Sequence, residues 1–151
     1  MSDNVINFRD KKTESVEEKK REFERVVFNS FMGSYSVVDE NGGCYQIELV
    51  DISHDGMMFQ VPWSKGNEKT FKIDNEMTLR IYFTRDSYLP IVVNIKHATE
   101  YIDSTGTYMR YGCQMDKETS SYQALKPFIE FIYKYAENSV VDKGDEKVYF
   151  L

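Results

Sequence analysis

Two arginines four residues apart form the first feature that has the chemistry of a ligand site. Arg21 and Arg25 lie in the segment KREFER, directly after Lys20. A helix would place both guanidinium groups on one face, and an extended chain would also point them the same way. Guanidinium groups donate paired hydrogen bonds to phosphate oxygens, and they stack on purines or hydrogen-bond to them. The alternative is a solvated charged segment in which Glu17 pairs with Arg21.

The second feature is a break in the strand-like segment VDISHDGMMF, residues 50–59. Asp51 and Ser53 are two residues apart, so in a strand their side chains share a face, here the one that continues the apolar side of the preceding residues. They would then be buried with partners or presented together to a site. Gly56 permits a positive φ or a close approach of a ligand to the backbone. The alternative is an Asp-Gly hairpin turn that the two polar side chains cap.

The remaining residues up to about position 115 are typical of β-strands. Six alternating or β-rich stretches begin at Val26: VVFNSFMGSYSVV, CYQIELVDIS, MMFQV, MTLRIYF, PIVVNIKHATEYI and TYMRYGCQM. Turns at 39–43 and 103–106 and a longer polar connection at 63–75 separate some of them. In MTLRIYF, the alternation predicts one apolar face made of Met77, Leu79, Ile81 and Phe83. Six strand candidates with no helix between them predict a mainly β fold, an antiparallel sheet or barrel.

The C-terminal part has a helical period. Apolar residues recur at steps of three and four and form one stripe: Tyr122, Leu125, Ile129, Ile132 and Ala136. Ser120 or Ser121 could cap the start of this helix. Pro127 is unfavourable inside a helix, so we expect a kink there or a helix that begins at that residue.

Charged residues are unevenly distributed along the chain. At 151 residues it fits a single domain with a substantial core. Residues 1–25 hold equal numbers of basic and acidic side chains and few apolar ones, which predicts a mobile or loosely helical segment. We therefore predict that these residues form an arm that precedes the folded domain.

The net charge of −6 argues against a protein that binds nucleic-acid polymers, because such proteins need a basic face. An anionic ligand would instead be met by local cations. No Cys or His has a companion at metal-ligand spacing, and we find no catalytic arrangement, so we expect neither a metal site nor an enzyme. The N-terminus lacks the apolar segment of a signal peptide and no stretch is long enough to span a membrane, so we expect a cytoplasmic protein.

Together, the two polar features resemble the PilZ domain. The matching residues are Arg21 and Arg25 of an RxxxR motif just before the first strand, then Asp51, Ser53 and Gly56 of a DxSxxG motif where the second strand ends. The resemblance runs from about residue 20 to about residue 137, so we predict a flexible charged arm at 1–19, a PilZ-like ligand-binding domain at 20–137 and a C-terminal tail at 138–151. It implies a six-stranded antiparallel barrel with a C-terminal helix, and cyclic di-GMP as the ligand.

The resemblance also implies a role for each motif residue. The two arginines would contact phosphate and guanine, and Asp51 would accept hydrogen bonds from guanine N1–H and N2–H. Ser53 would bond the ligand or hold Asp51, and Gly56 would give the ligand room. Lys20 stands where family members often carry another arginine, a position associated with binding an intercalated ligand dimer.

The implied protein is a stand-alone, bacterial second-messenger receptor that signals to a protein partner. We expect its residues 1–25 to be partly disordered without ligand and to be pinned onto the barrel mouth by it. One alternative is a PilZ-like adaptor that acts through protein contacts without any ligand. A second is an oligonucleotide-binding barrel, which the net charge of −6 disfavours.

Overall fold

The computed structural model describes residues 8–28, 34–38, 41–64, 70–147 and 149–150. In chain order the elements are α1 (Phe8–Val26), β1 (Ser34–Val38), β2 (Cys44–Ile52), β3 (Gly56–Pro62), β4 (Glu76–Tyr82), β5 (Tyr88–Asp103), β6 (Gly106–Met115) and α2 (Ser120–Asn138).

The strands form one antiparallel sheet in the order β1-β2-β3-β6-β5-β4. Strand β1 pairs with β2 along one edge and with β4 along the other, so the sheet closes on itself. Consecutive strands β2 and β3, β4 and β5, and β5 and β6 are hairpin neighbours, while β3 pairs with β6. The predicted mainly β, antiparallel fold followed by a C-terminal helix is confirmed.

The alternation of β4 fills the interior as expected, with one exception. Met77, Leu79 and Ile81 of β4 are at most 2% exposed. Phe83, predicted on the same face, lies beyond the end of β4 and is 52% exposed. The prediction for Phe83 is wrong because the pairing with β5 ends at Tyr82 and the chain turns there.

The apolar stripe of α2 is confirmed, since all five predicted residues are buried. The helix is capped by Thr119 rather than by Ser120 or Ser121, and the Thr119 hydroxyl accepts a hydrogen bond from Tyr122 N at 3.1 Å. Pro127 lies inside the helix, so the helix does not begin there.

The start of the first predicted strand, around Val26, is helical. Helix α1 extends to Val26, β1 is described from Ser34, and residues 29–33 of the predicted strand lie outside the described residues. The β-rich composition was misleading because an apolar residue of this stretch, Phe28, is buried in the core at 5% exposure directly after the end of α1. Phe23 stacks on Tyr135 with ring centroids 4.5 Å apart.

The charged N-terminal segment is a helix from Phe8 onwards, and the predicted boundary between residues 19 and 20 lies within α1. Such a polar helix depends on tertiary contacts for its stability. Besides Phe23, Lys19 ties α1 to the end of α2, since its Nζ donates to the Ser139 carbonyl at 2.8 Å. The mobility of residues 1–25 in the free protein stays a prediction.

Candidate functional site

Helix α1 carries two pairs of charged residues at four-residue spacing on adjacent faces. Arg21 and Arg25 are exposed, as a pair of ligand-binding guanidinium groups should be. Lys20 and Glu24 are buried, at 4% and 1% exposure. One face of α1 therefore offers two guanidinium groups to solvent, while the next carries an ion pair into the protein.

Lys20 joins α1 to the DxSxxG segment. Its Nζ donates to Asp51 Oδ1 at 2.9 Å and to the Ile52 carbonyl at 2.9 Å, and it forms an ion pair with Glu24. It also lies 5.1 Å from the centroid of the Tyr133 ring of α2. An ammonium group has three donors, and these three oxygens can use all of them. In this conformation Lys20 is therefore engaged within the protein, whereas we predicted that it binds ligand.

Glu24 is a member of the site that the sequence interpretation missed. Burial raises the pKa of its carboxyl to about 8; the nearby Asp51 adds to this increase, while the hydrogen bond with Lys20 opposes it. For Lys20, burial alone would lower the pKa, but hydrogen bonds and charges from Glu24 and Asp51 raise it overall. The Glu24 carboxyl therefore keeps its proton to a higher pH than an exposed glutamate does, and it pairs with Lys20 once it is ionised. The available signal was the i, i+4 spacing of Lys20 and Glu24 within KREFER.

Asp51 faces outward, contrary to the parity predicted from the sequence. The pairing of β2 with β3 shifts between Leu49 and Asp51, so Val50 is an extra residue in a β-bulge. The bulge reverses the alternation, which leaves Ile52 1% exposed and the Asp51 side chain 55% exposed. The prediction that Asp51 continues the apolar face is therefore wrong, and the outward position suits a ligand on the barrel surface.

Ser53 and Gly56 close the β2–β3 turn. Ser53 N donates to the Gly56 carbonyl at 2.8 Å, and Gly56 N donates to Ser53 Oγ at 3.2 Å. A Cβ at Gly56 would lie 2.3 Å from the Cys113 carbonyl oxygen, so a tight approach of β3 to β6 requires glycine here. The hairpin interpretation thus accounts for these two residues in the present conformation, and their contact with a ligand stays a prediction.

Helix α2 supports the same turn. The His54 ring stacks on Tyr133 at a centroid distance of 4.8 Å, and Tyr122 Oη donates to the His54 carbonyl at 2.9 Å. Asp55 points into solvent and pairs with Lys117, which lowers the pKa of its carboxyl. The negative charge of Asp55 is therefore paired with the ammonium group of Lys117 beside the site.

Within the part of the chain that the structure describes, no three His, Cys, Asp or Glu side chains come together as a metal site. Over the same residues, no helix is long and apolar enough to cross a membrane. The class of protein defined by these features is a small β-barrel whose outer surface carries the Asp51 carboxylate and a tight turn, with two exposed arginines on the adjoining helix α1.

Comparison with known proteins identifies the family. The family model described as "PilZ domain" matches residues 19–131, and this chain belongs to the PilZ domain family. None of the curated proteins matches the sequence.

Solved structures share the fold. MrkH from K. pneumonia in its apo state superposes with a TM-score of 0.55 at 12% identity, covering 72% of this chain and 50% of MrkH. The K. pneumonia MrkH–c-di-GMP complex gives 0.54 at 13% identity over 71% of this chain and 49% of MrkH. The PilZ domain of YcgR from Escherichia coli, solved with c-di-GMP, gives 0.51 at 14% identity over 68% of this chain and 83% of that domain. This chain thus spans about half the length of MrkH, and the likeness is one of fold.

Proposed function

We propose that this protein is a receptor for cyclic di-GMP that contains Lys20, Arg21, Arg25, Asp51, Ser53 and Gly56 in its binding site. The carrying observation is the 2.9 Å contact between Lys20 Nζ and Asp51 Oδ1. This contact brings the RxxxR and DxSxxG motifs together although they lie about thirty residues apart in sequence. Family membership supports the proposal, and so do the two PilZ relatives that were solved with c-di-GMP.

The chemistry of the ligand fits the charges on this surface. Cyclic di-GMP has two anionic phosphodiesters, which the exposed guanidinium groups of Arg21 and Arg25 can bind in a bidentate manner. It also has two guanines, whose N1–H and N2–H groups can donate hydrogen bonds to a carboxylate. Asp51 offers such a carboxylate, because its side chain is more than half exposed and one of its oxygens faces Lys20.

Signalling would work through the Lys20–Glu24–Asp51 cluster. A guanine that bonds Asp51 competes with Lys20 for the same carboxylate, so binding shifts α1 relative to the β2–β3 turn. The changed position of α1, together with the ordering of residues 1–25, would present a new surface to a protein partner. The protein acts in this scheme as an effector in the cytoplasm and catalyses no reaction.

Isothermal titration calorimetry with cyclic di-GMP tests the proposal. We expect wild type to bind and Arg21→Ala and Asp51→Ala to bind at least about tenfold more weakly, because a hydrogen bond to a charged group contributes roughly 1.5–3 kcal/mol. Arg85→Ala is the matched control, since Arg85 is exposed on the β4–β5 connection, on a different part of the barrel. Absence of heat with wild type, or equal affinities for all variants, would refute the proposal.

A ligand-independent adaptor is the second candidate, and the ion pair between Asp51 and Lys20 favours it. In the structure Lys20 Nζ lies 2.9 Å from Asp51 Oδ1, so this carboxylate has a partner within the protein. A bound ligand must raise the melting temperature, so an unchanged melting temperature in saturating cyclic di-GMP would support the adaptor. The calorimetric titration with cyclic di-GMP distinguishes the receptor from the adaptor independently.

A further inference from the structure

A row of residues crosses four strands on the outer face of the barrel and starts at Asp51. Asp51 of β2 pairs with Met58 of β3, Met58 with Gly112 of β6, and Gly112 with His97 of β5. Paired residues of neighbouring antiparallel strands project to the same side of a sheet. Asp51 and His97 are both exposed, so they form the two ends of one outward-facing row.

The row beneath it faces the core. Ile52, Met57, Cys113 and Ile95 are paired in the same way, and all are at most 6% exposed. The outer row is therefore not a disordered rim but the solvent side of a regular four-stranded segment. Its shape is determined by the same packing that holds the core.

A β-bulge directs each end of the row outward. Val50 is the extra residue before Asp51, and Lys96 is the extra residue before His97, where the β5–β6 pairing shifts between Ile95 and His97. Strict alternation from the buried Ile95 would turn His97 inward. Bulges are enriched beside binding sites because they re-aim a side chain, and here the same device occurs at both ends of one row.

Gly112, in the middle of the row, has no side chain to project from the outer face of β6. A Cβ at Gly112 would lie 2.0 Å from His97 Cε1 and 2.2 Å from its Nε2. The imidazole therefore occupies the space above the β6 backbone that a side chain at 112 would fill. This places the ring over β6, on the side towards Asp51.

A surface cleft of about 400 Å³ lies along this glycine floor, and it links His97 to the motif turn. Its lining includes Ser53, Gly56, Lys96, His97, Gly112 and Gln114. Three interstrand steps of roughly 4.8 Å separate β2 from β5, or about 14 Å in all. One purine cannot touch both Asp51 and His97, but a ligand with two purines can.

We propose that His97 is a further binding residue of this site, whose imidazole stacks on the guanine of cyclic di-GMP that Asp51 does not hold. The inference rests on the proposed function, since it names a second contact for the same ligand. Lys96, exposed at the bulge next to His97 and 3.8 Å from Asp74 Oδ1, places a cation at that end of the cleft. An imidazole offers the planar face that base stacking requires, and residue 97 is one that neither sequence motif includes.

Calorimetric titration with cyclic di-GMP of wild type, His97→Ala, His97→Phe and Thr99→Ala tests this assignment. We expect His97→Ala to bind on the order of tenfold more weakly, as for the loss of one stacked base. His97→Phe keeps a planar ring and should bind within about threefold of wild type, well inside the range of a single stacking contact. Thr99→Ala is the control, because Thr99 is exposed on the same strand outside the cleft and should bind as wild type does.

The outcomes separate this inference from the proposed function. If wild type binds and His97→Ala binds equally well, the role of His97 is refuted and the receptor function stands. If His97→Ala and His97→Phe are equally weak, stacking is refuted. If wild type gives no heat, the receptor function and this inference both fail. Melting curves without nucleotide check folding, and His97→Gln replaces His97→Ala if the latter does not fold.

Discussion

Replacing Glu24 by Gln should flatten the dependence of stability on pH. Glu24 is 1% exposed, and burial raises the pKa of its carboxyl to about 8. In the unfolded chain the same group has its ordinary pKa of 4.5. Between these two values the folded protein keeps a proton that the unfolded chain releases, so rising pH favours unfolding.

The size of the effect follows from the two pKa values. Each pKa unit corresponds to about 1.4 kcal/mol, so the full difference between the two pKa values corresponds to about 5 kcal/mol, of which about 3–4 kcal/mol should be lost from the free energy of unfolding of wild type between pH 5 and pH 8. Below the unfolded pKa both states are protonated, so the free energy of unfolding no longer depends on pH through Glu24 and this stability is fully present; it is lost as pH rises through the folded pKa. Glutamine has nearly the same shape, still accepts a hydrogen bond from Lys20, and carries no titratable proton.

Urea unfolding at pH 5, 6, 7 and 8 measures this difference. The free energy of unfolding of Glu24→Gln minus that of wild type should increase steadily with pH, and this difference should be smallest at pH 5. Glu22→Gln is the matched control, because Glu22 is exposed on the same helix and should leave the wild-type slope unchanged. Parallel pH curves for wild type and Glu24→Gln would refute the claim that Glu24 is buried as an acid.

Two further substitutions test the packing around the site and the helix that supports it. Gly56→Ala should destabilise the protein by about 1–3 kcal/mol, because the new Cβ meets the Cys113 carbonyl oxygen at 2.3 Å; thermal melting against Thr99→Ala measures it, and an unchanged midpoint would contradict the close approach. Ile129→Ala should lower the free energy of unfolding by about 2–5 kcal/mol, since Ile129 is fully buried in α2. The exposed Glu130→Ala is its control in urea titrations, and similar losses for both would contradict the assigned helix face.

Local patterns in the sequence were sufficient for much of the fold. The stripe from Tyr122 to Ala136 is buried as its three-and-four spacing predicted. The DSTG turn at 103–106 joins β5 and β6, and Met77, Leu79 and Ile81 alternate into the core. These features could be predicted because helix and strand periods are properties of a single segment.

The motif residues were also identified from sequence, but their surroundings were not. Spacing alone suggested that Arg21 and Arg25 are displayed together, and they are exposed on one helix. Spacing could not show that Lys20 turns inward to Asp51 and Ile52, or that Glu24 is buried beside it. These facts depend on how α1 packs against α2 and β2, which only contacts between distant segments determine.

The sequence by itself determined where most of the strands lie, which residues form the C-terminal helix, and which polar residues share a motif. Only the tertiary structure decided which way Asp51 and His97 point. A bulge at Val50 and another at Lys96 reverse the alternation just before each of them. A bulge is a mismatch between two paired strands, so its position depends on the partner strand as much as on the strand that contains it.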